Sequence, residues 1–195
     1  HNLTIHPKKF VLYAKTVIWC GWQLSGNGVD IDPARVSALV NCGLPSNMGD
    51  VMQFVCMLGW LRTRCMPRFA ELAAPLRTLL TEAMKNKKKE PKAAACRISL
   101  EEAGWNSGHE RCWNDLLDLV KQRITTAHFN PKMVQHLFPD ASDLFWAVCI
   151  TQTPPDQADR PFAEQEHEPL VFASGAFKNN ELRWAVNANE AYAVV

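Results

Sequence analysis

The residues best suited to chemistry stand apart in this sequence. Asp140 closes a short apolar run, 134-VQHLFPD-140; the small pair Ala141-Ser142 follows, and a second apolar run, Phe145 to Ile150, comes straight after. A carboxylate so placed can be a hard oxygen ligand of the kind magnesium prefers, or the Asp of a turn, since Asp-Ala-Ser is common turn chemistry. The residues alone leave both readings open. Glu190, in 187-NANEAYAVV-195, is a lone acid on what reads as a helix. Metal-assisted phosphoryl displacement needs several carboxylates converging on two ions about 4 Å apart, a condition that neither acid meets by itself. The seven cysteines (20, 42, 56, 65, 96, 112 and 149) include no C-x-x-C pair and no histidine at zinc spacing. They read as reduced, mostly buried thiols of an intracellular protein, in the cytoplasm or nucleus.

Charge sets a further bound. Lysine and arginine (21) nearly cancel aspartate and glutamate (20), leaving +1, so no long-range field favours nucleic acid or a membrane surface and any basic patch must be local. No apolar run reaches the roughly 20 residues of a membrane helix. Hydrophobic residues make up 47% of 195, enough to bury a core in one large domain or two small ones.

The elements that must position these side chains follow from patterning. Residues 10–24, rich in β-branched and aromatic residues, read as a strand or hairpin closed by the Ser-Gly-Asn-Gly turn at 25–28. Asp32 caps a short helix with Pro33 at its first position, running to about Val40. A stronger helix starts near Met48, capped by Ser46 or Asn47, and breaks before Pro67. A third spans roughly 68–84 with a kink or restart at Pro75. Residues 85–97, with five lysines, read as a solvated linker or arm. Helix returns over about 107–127. Two strands over 134–151 join at an Asp140 turn, 154–168 form a long loop, 169–177 are a third strand, and a helix runs from about Leu182 to the end. The first residue is His, and the last helix is still running at 195, so the sequence reads as an excerpt.

Seven segments in order carry a resemblance. They are 7-PKKF-10, 21-GWQLSGNGVDIDPARV-36, 54-FVCMLGWLRTRCMPRFAELAAPLRTLL-80, 105-WNSGHERCWNDLLDLVKQRI-124, 140-DASDLFWAVCITQ-152, 169-PLVFASGAF-177 and 183-RWAVNANEAYAVV-195. In residue type, spacing and order, nearly the whole chain resembles the reverse transcriptase and ribonuclease H polyprotein of gypsy-class long-terminal-repeat retrotransposons.

That resemblance implies an α+β fold. Residues 1–84 would be the palm end, with a terminal hairpin that grips the primer end, and a helical thumb. Residues 85–130 would be a basic linker and connecting helix. Residues 131–195 would be the N-terminal part of a ribonuclease H-like domain, three antiparallel strands plus one helix. It implies catalytic and metal-ligating roles for Asp140 and Glu190, with magnesium or manganese bound only weakly here. Nucleic-acid contacts would come from Gln53, Trp60, Arg62 and Arg64 on the thumb helix, with Trp60 alternatively a core residue, and from Lys87, Lys88 and Lys89. The partners implied are a template-primer duplex or RNA:DNA hybrid and the remainder of the parent polyprotein; no membrane is implied. The parent family polymerises DNA on RNA and cuts the RNA of hybrids. The family's polymerase aspartates and its later ribonuclease H aspartates are absent from these residues. Pro139 stands where threonine is usual, Phe145-Trp146-Ala147 replaces a glycine-containing turn, and Asn187-Ala188-Asn189 replaces a charged run. The expectation is therefore a catalytically incomplete fragment; the alternatives are a nucleic-acid-binding module without catalysis and a domesticated interaction module.

Overall fold

The computed structural model describes residues 4, 6–85 and 91–194. Three short strands, β1 (Thr16–Trp19), β2 (Trp22–Ser25) and β3 (Gly28–Ile31), form one antiparallel sheet in that order. Of the strand or hairpin expected over 10–24, the structure has the hairpin, two strands joined at Cys20-Gly21. Both turn residues have positive φ, 50° and 81°, which ends the extended run that the β-branched residues favour. Of the three strands β3 is the best buried and β1 is exposed throughout.

The helical unit follows the caps. Asp32 accepts from the Ala34 N–H and opens α1 (Pro33–Val40). Asn47, the second of the two expected caps, accepts from the Gly49 and Asp50 N–H groups and opens α2 (Met48–Cys65). The third expected helix is divided into α3 (Phe69–Leu72) and α4 (Ala74–Met84), with Pro75 in the first turn of α4, where a missing N–H costs no helical bond. The expected linker is in part a helix, α5 (Pro91–Cys96); Ala95 is fully buried and Cys96 Sγ lies against Gly49 of α2. α6 (Ser107–Lys121) is held by a reciprocal cap between Asn106 and His109 and stops six residues short of the expected end. Beyond it Thr126 bridges to Val29 instead. Gly28, with φ of 131°, lies so close that a Cβ there would stand 2.3 Å from the Thr126 carbonyl oxygen.

One core joins α1, α2, α3, α4, α5 and α6 through Leu39, Phe54, Phe69, Leu76, Ala95 and Trp113. Phe54 and Trp113 stack with centroids 3.7 Å apart, and the indole N–H donates to the Gly43 carbonyl at 3.1 Å. Stripping water from such large apolar side chains is the main stabilising term.

The second sheet has the order β4 (Val134–Ala141), β5 (Phe145–Thr153), β6 (Glu168–Ala176), all antiparallel. The 154–167 loop carries two 3₁₀ turns, and a further 3₁₀ turn (Asn179–Arg183) precedes α7 (Val186–Tyr192), which is shorter than the helix expected from Leu182. The cysteines are free, but four of the seven are exposed (20, 42, 56 and 96) and only Cys65 and Cys112 are buried. The expectation of mostly buried thiols fails because four cysteines fall on turns and on outward faces of helices.

Candidate functional site

Asp140 is not a turn residue. It lies in β4 opposite Ala147, and the turn is at 142–144, where the Ser142 N–H donates to the Phe145 carbonyl at 2.8 Å and Ser142 Oγ accepts from the Phe145 N–H at 3.1 Å. Pro139 is tolerated one residue earlier because β4 is an edge strand. Side chains alternate across a sheet, so Asp140 shares a face with Phe138, Ala147 and, one strand on, Ser174. On that face the Ala70 N–H of α3 donates to Ser174 Oγ at 3.0 Å. Asp140 therefore opens onto a cleft of about 380 Å³ lined also by Arg68, Glu71, Ser142 and Phe145. Arg68, a non-glycine residue with φ of 55°, makes an exposed two-pronged ion pair with Glu71 at 2.9 Å.

Glu190 is reached from elsewhere. α7 packs through Tyr192 on Trp146, with centroids 6.0 Å apart, and Trp146 points to the face opposite Asp140, the face on which a Gly175 Cβ would meet its indole. The Asp140 side chain and α7, which carries Glu190, thus lie on different sides of the sheet, and Glu190 is exposed. Among the described residues no group of three or more His, Cys, Asp or Glu side chains comes together to hold a metal ion. These carboxylates do not by themselves fit a two-metal centre.

The four α2 positions divide. At about 100° per residue, Gln53, Trp60 and Arg64 share one exposed stripe with Met57. Arg62 is about half a turn away, on the flank of the buried side, and near Arg77, whose guanidinium lies 5.2 Å from the Phe69 ring centroid. Burial, and next the charge of Arg62, lower the pKa of Arg77. Gln53 borders a cleft of about 220 Å³ with Phe54, Met57 and Trp113. Arg64 borders one of about 550 Å³ with His128, Phe129, Ile150 and Leu170, between the two sheets. Lys87, Lys88 and Lys89 lie outside the described residues. Two joints that patterning could not show tie the segment after α6 to the first sheet: an ion pair between Arg123 and Asp30 at 2.9 Å and a hydrogen bond of His128 Nε2 with the Ser25 carbonyl at 2.6 Å.

The second sheet, with α7 behind it, matches a known class. Residues 130–195 match the family model of the RNase H-like domain found in reverse transcriptase. Over its whole length the chain is 25% identical to the retrovirus-related Pol polyprotein from transposon opus of Drosophila melanogaster, of which it spans 18%. Among solved structures, that of the foamy viral protease-reverse transcriptase in complex with RNA/DNA hybrid superposes with a TM-score of 0.70 at 16% identity, over 96% of this chain and 22% of that one. A second foamy viral structure, in complex with double-stranded DNA, gives 0.67 at 16% identity over 93% of this chain and 32% of that one. Likeness at this identity establishes the shared fold, across both sheets and the helical unit together.

Proposed function

We propose that these residues are a segment of a gypsy-class retrotransposon reverse transcriptase/ribonuclease H polyprotein: palm end and thumb (1–84), connecting stretch (85–130) and the first part of a ribonuclease H-like domain (131–195). Their own activity is to hold a nucleic-acid duplex by shape and phosphate charge, without cutting it. The observation that carries this reading is the exposed stripe Gln53–Trp60–Arg64, on a helix followed in the same chain by an RNase H-like match. An arginine and an amide on a helix bind phosphates without reading sequence. Asp140 and Glu190 occupy the first two ligand positions of the ribonuclease site, and the divided faces that carry them support weak binding of magnesium or manganese. The polymerase and endonuclease activities belong to the longer polyprotein.

A second reading, an interaction module without a nucleic-acid role, is favoured by the net charge of only +1. Fluorescence anisotropy of a labelled RNA:DNA hybrid decides between them. Binding at about 50 mM salt that falls by orders of magnitude at about 200 mM is expected, and no binding at the lower salt overturns the first reading. Incubation of the same hybrid with magnesium or manganese is expected to leave it intact. Cleavage by the wild-type chain but not by Asp140→Asn would show that the ribonuclease site works as it stands.

A further inference from the structure

Trp60 stands on the exposed stripe of α2, and at 41% exposure it is open enough to meet a ligand. Its ring, however, already has neighbours from two other elements. Trp22, which begins β2, stacks on it with centroids 4.9 Å apart and planes tilted by 31°. The guanidinium carbon of Arg35, on α1, lies 4.8 Å from its centroid. The same guanidinium fills the space beside Gly21, where an added Cβ would stand 2.4 Å from it. β2 and α1 therefore converge on the indole of α2, and β2 starts directly after the left-handed turn Cys20-Gly21.

Elsewhere the hairpin is held mainly by polar bonds: the Asp32 N–H donates to the Gly21 carbonyl at 3.0 Å, and His128 Nε2 lies 2.6 Å from the Ser25 carbonyl oxygen. β1 is exposed along its length and β2 is only half-buried, whereas β3 is fixed by the core and by Thr126. β1 is the exposed edge of this small three-stranded sheet, and so short a sheet depends on packing against another element for its stability. Stacked aromatic rings and an arginine over an indole face supply that packing at a single point.

We infer that Trp60 is a positioning residue: with Trp22 and Arg35 it forms a latch that fixes the β1–β2 hairpin against the exposed stripe of α2, so that hairpin tip and stripe present one rigid surface to a duplex. The inference rests on the duplex-binding reading above. It separates Trp60 from Gln53 and Arg64, which touch the ligand directly, and it makes Trp22 and Trp60 a single unit.

A double-mutant cycle on the full chain tests this, with a fluorescein-labelled RNA:DNA hybrid as probe. Trp60→Ala and Trp22→Ala are each expected to weaken binding about 5- to 10-fold. The double variant is expected to lose no more than either single one, because the latch is already open. Trp60→Phe, which still stacks, keeps the affinity. Single effects that multiply in the double variant, or a Trp60→Ala chain that binds like wild type, overturn the latch. Should Trp60→Ala unfold, Trp60→Leu fills the space without stacking and takes its place in the cycle. Two readouts need no nucleic acid. The far-ultraviolet exciton couplet of the stacked indoles is expected to vanish in Trp60→Phe and Trp22→Ala, above a constant background from the Trp105–Trp113 pair. Amide exchange over residues 16–25 is expected to quicken at least about tenfold in Trp60→Ala and not in Trp60→Phe. A wild-type chain that fails to bind the hybrid removes the duplex-binding reading alone, and unchanged exchange in Trp60→Ala removes the latch alone.

Discussion

Ala70 and Ser174, 104 residues apart in sequence, meet in a buried hydrogen bond: the Ala70 N–H of α3 donates to Ser174 Oγ on β6 at 3.0 Å. The donor belongs to the first turn of its helix, where backbone N–H groups have no partner within the helix. The sheet supplies the missing acceptor and so seats the helical unit on the face that carries Asp140. Ser174→Ala leaves that donor buried and unpaired, which costs about 1–3 kcal/mol. A lower urea midpoint with an unchanged slope is the expected result.

Much of the architecture was written in local chemistry. Asp32-Pro33 marks one helix start to the residue and the Ser46-Asn47 pair marks another to within one, because a cap needs only its own side chain and an N–H two or three residues on. The order of three strands and a final helix was likewise legible from apolar runs. Pairing was not. That Asp140 lies within β4 rather than at a turn depends on its register with Ala147, and Pro139 hid that register because a proline in a strand reads as a break unless the strand is known to be an edge. The stripe on α2 was half legible: helical spacing separates Arg62 from Gln53, but the stacking of Trp60 on Trp22 joins residues whose proximity no periodicity announces.

Trp113 is the largest single anchor of the core, stacked on Phe54 and hydrogen-bonded to the Gly43 carbonyl. Truncating it removes both contacts and leaves a cavity, so Trp113→Ala is expected to cost about 3–5 kcal/mol. Trp113→Phe keeps a ring against Phe54 and loses the donor, with an expected cost of about 1–3 kcal/mol. Thermal unfolding followed by circular dichroism ranks the two; equal costs would show that the hydrogen bond, rather than the stack, carries the site.

Arg64 and Arg62 are expected to differ in nucleic-acid binding although both end α2. Arg64 is on the exposed stripe, and Arg62 is on the flank of the buried side near Arg77. Arg64→Ala should lower the slope of log affinity against log salt by about one, and Arg62→Ala should leave it unchanged. Anisotropy titrations of the hybrid between about 50 and 200 mM salt measure both slopes; a fall for Arg62→Ala alone would place the duplex on the other side of the helix.

Thiol reactivity should follow burial, since the thiolate is the nucleophile. Burial, followed by the negative charge of Asp30, pushes Cys65 up to about 12, and burial raises Cys112 and Cys149 as well. Cys20, Cys56 and Cys96 are exposed and are expected to react first with a maleimide at neutral pH; Cys42, exposed as a residue but with its thiol pKa raised chiefly by burial, follows them. Cys65 should react only after denaturant is added. Peptide mass spectrometry of a timed labelling series gives the order directly, and early labelling of Cys65 would mean that the end of α2 opens in the native protein.

His167 should make the second sheet sensitive to mild acid. Its Nδ1 is 2.7 Å from Thr151 Oγ1, its Nε2 is buried without a hydrogen-bond partner, and the His136 ring stands edge-on with centroids 5.0 Å apart. Burial first, and then repulsion from His136, lower its pKa below the ordinary 6.5. The folded state therefore prefers the neutral ring, and its contribution to stability is fully present above pH 6.5. As pH falls below that value the unfolded chain takes up the proton first, so stability declines until the folded ring also titrates. His167→Gln, uncharged throughout, is expected to remove this part of the decline in melting temperature below pH 6.5. A decline of the same size in the variant would assign it to other groups and leave the His136–His167 contact without a role in the acid response.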